Sequence, residues 1–191
     1  MPKKMLFVIA GPRLAGSTAF AARTAAEAAR AAGNKVDIVE LPKLKGGNVG
    51  CISCYGCQRS GEYRCVIDDD MSRLVASLPQ YDVVAIASPV FFFSISAQAK
   101  AFLDRFFSLV KHVGDGIETP LSKIRLAFIT TSGGDESDSG VRNVFSTIRD
   151  CAAYAEAPEP QFLYFGNCTE PKEFKADRAN TEKAAAFGRA L

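Results

Sequence analysis

The sequence contains a single histidine, His112, so one chain cannot supply a His-rich metal site. It also lacks any apolar run long enough for a membrane helix, since the run over 5–10 is short and no small-residue cleavage site follows it. The formal net charge is only +2, with no long basic run, which argues against nucleic acid or an anionic membrane as a partner. These absences favour a cytoplasmic protein.

The bulk composition is that of a globular protein. The chain has 191 residues, of which 48% are apolar and 23% charged, and this predicts one domain over 1–191. Apolar runs predict strands over 4–10, 35–41, 82–88, 124–130 and 160–165. Helical patterns lie between and after them, over 18–32, 71–78, 96–113, 141–155 and from about 180.

This strict alternation predicts an α/β fold, a doubly wound five-stranded parallel sheet in the order 2-1-3-4-5 with helices on both faces. The polar second strand suits an edge, whereas the apolar first and third strands suit the centre. In such a sheet a ligand binds beyond the carboxyl ends of the strands, near the reversal point between the first and third strands.

The loop after the first strand opens directly into a helix. Neither G-x-G-x-x-G nor G-K-[ST] occurs in it, so it is neither a dinucleotide fingerprint nor a P-loop. Free N–H groups at the helix start, the hydroxyls of Ser17 and Thr18, and the charge of Arg13 suit a phosphate group. An ordinary turn capped by Ser or Thr is the alternative.

Two further loops lie at the same edge of the predicted sheet. The third strand is followed by Pro89, Val90 and three consecutive phenylalanines, Phe91 to Phe93. At least one ring is expected to line an apolar cleft for a flat aromatic ligand, while others pack inward as a plug below the next helix. The polar, Gly-rich loop over 130–135 follows the fourth strand and can offer backbone N–H groups to a ring carbonyl or nitrogen. The alternative is an ordinary tight turn, which has the same composition.

Four of the six cysteines crowd into a Gly- and Cys-rich loop over 46–67. Their spacing, C-x2-C-x2-C-x7-C, lets thiolates converge on an iron–sulfur cluster. Structural or redox-active thiols are a second interpretation, and zinc, which more often uses two separate C-x2-C knuckles, is a third. Cys151 and Cys168 lie outside the motif and are interpreted as small, partly buried residues.

Taken together, the Gly11–Thr18 loop, Ser88-Pro89-Val90 with the segment 96–105, and the Thr131–Gly134 loop resemble the flavodoxin-like NAD(P)H-dependent FMN reductase superfamily. The resemblance covers nearly the whole chain. It implies that FMN is held by Gly11, Arg13, Gly16, Ser17, Thr18, Pro89, Val90, Phe91, Phe92, Phe93, Ser132, Gly133 and Gly134. Gly11 stands where the family often has Ser, Phe91 where Tyr is usual, and Phe93 where a small residue is common.

The cysteine motif resembles that of the iron–sulfur flavoprotein branch. That resemblance implies a [4Fe–4S] cluster on Cys51, Cys54, Cys57 and Cys65, beside FMN. We expect an oxidoreductase in which NAD(P)H or another small-molecule or protein donor reduces FMN, and the cluster or an external acceptor takes the electrons. The flavin performs this chemistry, so no catalytic side chain is assigned. Relatives imply a homodimer or homotetramer. The alternative is a non-catalytic FMN-binding redox sensor or carrier with a thiol or metal loop.

Three charged features are given structural roles. His112 is expected to end the helix over 96–113, where a cation is favoured. Asp104 and Arg105 point to different faces of that helix, which indicates a helix-surface or subunit-interface role. The run from Asp68 to Asp70 is expected to cap the next helix rather than bind a metal.

Overall fold

A computed structural model describes residues 1–45 and 49–191 of the chain. The strands are β1 (Lys4–Ile9), β2 (Lys35–Glu40), β3 (Val83–Phe91), β4 (Ser94–Ile95), β5 (Lys111–Val113), β6 (Gly116–Glu118), β7 (Arg125–Thr131) and β8 (Gln161–Phe165). The helices are α1 (Ser17–Ala31), α2 (Gly56–Arg59), α3 (Asp70–Ser77), α4 (Ala97–Asp104), α5 (Val141–Tyr154), α6 (Pro171–Ala176) and α7 (Arg178–Ala190). Tight 3₁₀ turns cover Leu41–Lys43, Leu78–Gln80, Arg105–Leu109 and Pro120–Lys123.

Five parallel strands form the central sheet in the order β2-β1-β3-β7-β8, which confirms the predicted topology. Strand β1 is apolar on both faces and is buried from Met5 to Ile9, as its central position requires. The more polar β2 lies at the edge, as predicted. The reversal between β1 and β3 therefore lies in the middle of the sheet, where the order predicts a ligand site.

Helices cover both faces of the sheet and enclose two cores. Leu6 and Val8 of β1 face the core under α3, α4 and α5, whereas Phe7 and Ile9 face the core under α1 and α7. This alternation follows from the two-residue period of a strand. The alanine-rich inner face of α1 lets α7 approach so closely that a Cβ at Gly188 would lie 2.0 Å from the Ala25 carbonyl oxygen.

Capping side chains fix two of the helix starts. The Asp69 carboxylate accepts a hydrogen bond of 2.7 Å from the Ser72 N–H at the start of α3, which confirms the capping role predicted for this acidic run. The Ser96 hydroxyl accepts one of 3.2 Å from the Ala99 N–H at the start of α4.

The long helix predicted over 96–113 is wrong. Helix α4 ends at Asp104, a 3₁₀ turn follows over Arg105–Leu109, and the chain then enters the β5–β6 hairpin. His112 therefore lies in β5 and ends no helix, and Val113 is exposed rather than part of an apolar helix face. Two sets of contacts stabilise this non-helical path. The Arg105 guanidinium binds Cys65 and Asp69, and Lys111 Nζ donates to the Ser60 carbonyl at 2.9 Å.

Several shorter elements were not predicted. Strand β3 continues to Phe91 and folds back onto β4, with Val90 opposite Ile95 and Phe91 opposite Ser94. Helices α2 and α6 lie in segments without a long apolar period. Residues 46–48 of the predicted Gly- and Cys-rich loop lie outside the described residues. No helix in the described ranges has both the length and the apolar character needed to cross a membrane.

Candidate functional site

The start of α1 offers an anion site. Its N-cap is Gly16, and in this fully described helix no side chain caps the first turn and no acidic residue lies in it. The N–H groups of the first turn and the positive end of the helix dipole therefore face the loop without a protein side chain to satisfy them. Ser17 and Thr18 are buried beside these groups, and Arg13 is exposed on the loop.

The loops after β1, β3 and β7 are joined by direct contacts. The hydroxyls of Thr18 and Thr131 are hydrogen bonded at 2.7 Å, although they are far apart in sequence. Gly11 lies so close to Pro89 that a Cβ on this glycine would be 2.9 Å from the proline Cδ. The role of Gly11 is thus close packing of two loops, and the absence of a side chain is what permits it.

The loop after β7 is fixed to the end of β8. The Ser132 hydroxyl lies 2.7 Å from Tyr164 Oη and donates to the Gly134 carbonyl at 2.8 Å. The Ser132 N–H donates to the Phe165 carbonyl at 3.0 Å. A Cβ at Gly133 would meet no atom within 4 Å, so the backbone there faces open space. This loop is a preformed wall with one accessible stretch of backbone.

A cleft of about 120 Å³ lies where these loops meet, at the carboxyl edge of the sheet. Its walls consist of Pro12, Arg13, Gly16, Ser17, Thr18, Pro89, Val90, Phe91, Thr131, Ser132, Gly133, Cys168 and Pro171. Nine of the thirteen cofactor residues expected from the sequence line it. Gly11, Phe92, Phe93 and Gly134 are not among the lining residues that the structure describes.

The three phenylalanines lie at the rim and not in a core. Phe91 lines the cleft, so the expectation of a ring at an apolar cleft fits, while the expectation that other rings plug the core below α4 is wrong. Phe92 is 95% exposed, and Phe91 and Phe93 are about half exposed. The physical reason is the tight β3–β4 turn, which points its central residues away from the sheet.

Cys168 is a lining residue that sequence reasoning assigned to packing alone. Its Sγ lies 3.4 Å from the carbonyl oxygens of Phe165 and Gly166, and burial raises the pKa of the thiol to about 11. At neutral pH it is therefore a neutral thiol. Its position just after β8, at the same edge of the sheet as the other loops, is the signal that could have placed it in the cleft. The same rule would have added Pro171.

The cysteine loop does not gather its thiols. Cys51 and Cys54 are exposed, whereas Cys57 and Cys65 are buried. Among residues 1–45 and 49–191, no group of three or more His, Cys, Asp or Glu side chains is arranged to hold a metal ion. The four thiols are therefore not gathered around one point in this structure, despite the favourable spacing.

A buried arginine holds the two ends of this loop in place. Arg105 is 1% exposed, against the prediction of a surface or interface role. Its guanidinium donates to Asp69 Oδ2 (2.8 Å) and Cys65 Sγ (3.0 Å) on one side of the loop. On the other side it donates to the carbonyls of Val49 (2.9 Å) and Gly50 (3.0 Å). The charge is buried because one carboxylate and several neutral acceptors satisfy it.

Comparisons with known proteins give a family model, a relative in sequence and two structural neighbours. A family model described as NADPH-dependent FMN reductase matches residues 3–163. An iron-sulfur flavoprotein of Methanocaldococcus jannaschii is 25% identical over 193 aligned positions, which cover 97% of this chain and 94% of the relative. An azoreductase structure from Bacillus anthracis has a TM-score of 0.77 at 16% identity and covers 99% of this chain and 100% of its own. An NAD(P)H:quinone oxidoreductase from Methanothermobacter marburgensis also reaches 0.77, at 15% identity, with 99% and 98% covered. The two structures establish a flavodoxin-like fold.

Proposed function

This chain belongs to the NADPH-dependent FMN reductase family, and from that membership we propose that it holds FMN in the cleft described above and uses NAD(P)H to reduce it. The family consists of oxidoreductases, so the chain is an oxidoreductase that works through a flavin. We also propose that residues 1–191 form a single FMN-binding domain.

The observation that carries the proposal is the uncapped start of α1. Its first-turn N–H groups have no capping side chain within the described helix, and Arg13, Ser17 and Thr18 line the same cleft. A phosphate at this position would receive backbone donors, two hydroxyls and one positive charge, without repulsion from any acid in the first turn. We assign the FMN phosphate to this position.

The two remaining walls suit the ribityl chain and the ring. Pro89, Val90 and Phe91 form an apolar wall on the β3 side. On the β7 side, the open backbone at Gly133 provides polar groups for the edge of a ring. The cleft thus has an anion end, an apolar wall and a polar edge, which is the sequence of groups that FMN presents.

The chemistry that bound FMN supplies is acceptance of a hydride from NAD(P)H and return of two electrons and two protons to an acceptor. The chain contributes binding and position. Arg13 is the one charged side chain among the lining residues that the structure describes, and the Cys168 thiol, with its pKa of about 11, is neutral. This thiol is not suited to proton transfer at neutral pH, and we assign the second proton to solvent.

Comparing FMN with riboflavin tests the phosphate site. Riboflavin lacks the phosphate, so the wild-type chain is expected to bind FMN much more tightly. Arg13→Ala should raise the Kd for FMN about tenfold or more, as expected for losing a charge-assisted hydrogen bond of about 1.5–3 kcal/mol. The Kd for riboflavin should stay the same. Arg125→Ala, at the opposite end of β7, is the matched control. Equal affinity of the wild type for both flavins would refute the assignment.

Anaerobic mixing of the FMN-loaded protein with NADH or NADPH tests the activity. Rapid bleaching of the flavin absorbance supports a reductase. Failure of both nucleotides would instead favour the alternative of a non-catalytic FMN-binding sensor or carrier.

An iron–sulfur cluster in the cysteine loop is a second candidate. The C-x2-C-x2-C spacing favours it, and the archaeal relative that aligns over most of the chain is named an iron-sulfur flavoprotein. Cys65 would have to leave Arg105, and the exposed Cys51 and Cys54 would have to turn inward. The test is an iron and acid-labile sulfide assay on anaerobically purified protein, in which Cys54→Ala should lose the iron that the wild type retains. Iron that is absent from the wild type, or unchanged in the variant, would exclude the cluster.

The partners and location complete the proposal. We propose that the chain forms a homodimer or homotetramer, which sedimentation velocity tests. We propose that its electron donor and acceptor are small molecules or redox proteins. We propose the cytoplasm as the location, because all six cysteines, which lie within the described ranges, are free and free thiols persist in reducing compartments.

A further inference from the structure

The bond between Thr18 and Thr131 leaves one hydroxyl hydrogen unused. The two hydroxyl oxygens lie 2.7 Å apart, and the two residues are only 6% and 5% exposed. Each hydroxyl carries one hydrogen, so their mutual bond uses one of the two. Within residues 1–45 and 49–191, neither oxygen makes another hydrogen bond to the protein. Because both residues line the cleft, the second hydrogen is available to a group that enters it.

The sheet sets the position of Thr131. This residue ends β7, and it is paired in register with Pro89 of β3 on one side and with Phe165 of β8 on the other. Thr18 lies in the first turn of α1, which follows β1. Strand β3 separates β1 from β7, so the bond between the two threonines spans the end of β3. A paired strand therefore fixes where the Thr18 hydroxyl lies.

The charge of this end of the cleft sets the direction of the bond. The uncapped first turn of α1 and the Arg13 side chain attract an anion. A fully ionised phosphate offers only acceptors, so a hydroxyl beside it turns its hydrogen toward it. The Thr18 hydrogen then goes to the anion, and the Thr18 oxygen accepts from Thr131. A hydroxyl that accepts one hydrogen bond becomes a stronger donor in the next.

We propose that Thr131 is a positioning residue for the flavin phosphate. It donates to the Thr18 hydroxyl, directs the Thr18 hydrogen at the phosphate, and so favours FMN over riboflavin. The proposal rests on the proposed function. Since Thr131 acts through Thr18, its effect is confined to flavins that carry a phosphate, because riboflavin brings no anion to the start of α1.

The test is the Kd for FMN and the Kd for riboflavin, measured by isothermal titration calorimetry. Thr131→Val keeps the branched shape and removes the hydroxyl. Its Kd for FMN should rise about three- to tenfold, the scale of one hydrogen bond in a chain that ends on a charge, and its Kd for riboflavin should stay the same. Thr131→Ser retains the hydroxyl and should restore the preference for FMN. The phosphorus NMR signal of bound FMN should move in the valine variant and return with serine.

The neighbouring Thr130 supplies a matched control. It is fully buried, its Oγ1 has no hydrogen-bond partner in the described part of the chain, and it is not among the cleft residues described there. Successive side chains of a strand point to opposite faces, so Thr130 points away from Thr18. Thr130→Val removes an unsatisfied hydroxyl and should leave both Kd values unchanged, with an equal or higher Tm.

A double variant tests whether Thr131 acts through Thr18. Thr18→Val should lose part of the preference for FMN, and adding Thr131→Val should lose no more. Additive losses would refute the proposal.

Three other results would overturn it. An unchanged preference in Thr131→Val, in a protein that still binds FMN, refutes this proposal alone and leaves the proposed function intact. An equal rise in both Kd values shows that Thr131 only supports the wall of the cleft. A wild-type protein that binds no FMN refutes the proposed function and this proposal together.

Discussion

Replacing Arg105 by leucine should cause a large loss of stability. The substitution leaves the Asp69 carboxylate, whose side chain is only 10% exposed, without its cation, and removes the donors to the carbonyls of Val49 and Gly50. Breaking a buried ion pair by removing one partner costs about 3–5 kcal/mol. For a chain of this size the loss corresponds to a fall in Tm of roughly 10 °C.

The matched control is Arg73→Leu. Arg73 also pairs with carboxylates, Asp68 and Asp70, but it is 61% exposed. An exposed pair contributes about 1 kcal/mol or less. Urea unfolding of both variants, followed by circular dichroism, gives the two free energies of unfolding.

A double variant separates the charge from the packing. Asp69→Asn retains an N-cap for α3, because Asn caps as well as Asp. In Arg105→Leu/Asp69→Asn no uncompensated charge remains, so part of the stability should return. If Arg105→Leu costs no more than Arg73→Leu, the buried network does not stabilise the fold and the reasoning is wrong.

Three further outcomes are expected. Hydrogen bonds from Lys43 and then Arg23 lower the pKa of Glu40, so its contribution is present at neutral pH and is lost as the pH falls through the lowered pKa. Glu40→Gln should therefore cost about 1 kcal/mol or less in urea unfolding at pH 7, and the difference should shrink as the pH drops below about 4.3. Because burial raises the pKa of Cys168 to about 11, iodoacetamide at pH 8 should label it more slowly than the exposed loop cysteines, and added FMN should slow it further, as mass spectrometry will show. Gly11→Ala places a Cβ about 2.9 Å from Pro89 and should lower the free energy of unfolding by about 1–3 kcal/mol; an unchanged Tm would show that the two loops separate freely.

Much of the fold follows from local patterns. The apolar runs of β1 and β3 and the polar edge strand β2 are enough to predict the sheet order, because burial on both faces requires apolar residues at every position. The ligand edge follows from that order, and most of the expected cofactor residues do line one cleft. Their assignment to FMN remains a proposal.

The errors have tertiary causes. The apolar residues after Asp104 have helical spacing, yet the chain leaves the helix where Arg105 is drawn into contacts with the cysteine loop. Those contacts join segments far apart in sequence, so no local pattern indicates them. The β3–β4 turn was missed for the opposite reason. Its central residues, Phe92 and Phe93, have positive φ angles that aromatic residues rarely adopt, so their sequence does not predict a turn. A hydrogen bond from Asn143 of α5 to the Phe93 carbonyl stabilises it.

Part of the cleft wall belongs to paired strands. Pro89 and Thr131 are neighbours in the β3–β7 register, and Thr131 in turn bonds Thr18. A ligand entering this cleft meets walls that are already in place, so little ordering entropy is lost on binding. Fixed dipoles also respond little when the charge of a bound group changes. The cleft is therefore preorganised, and under the proposed function this means a low reorganisation cost for each two-electron cycle.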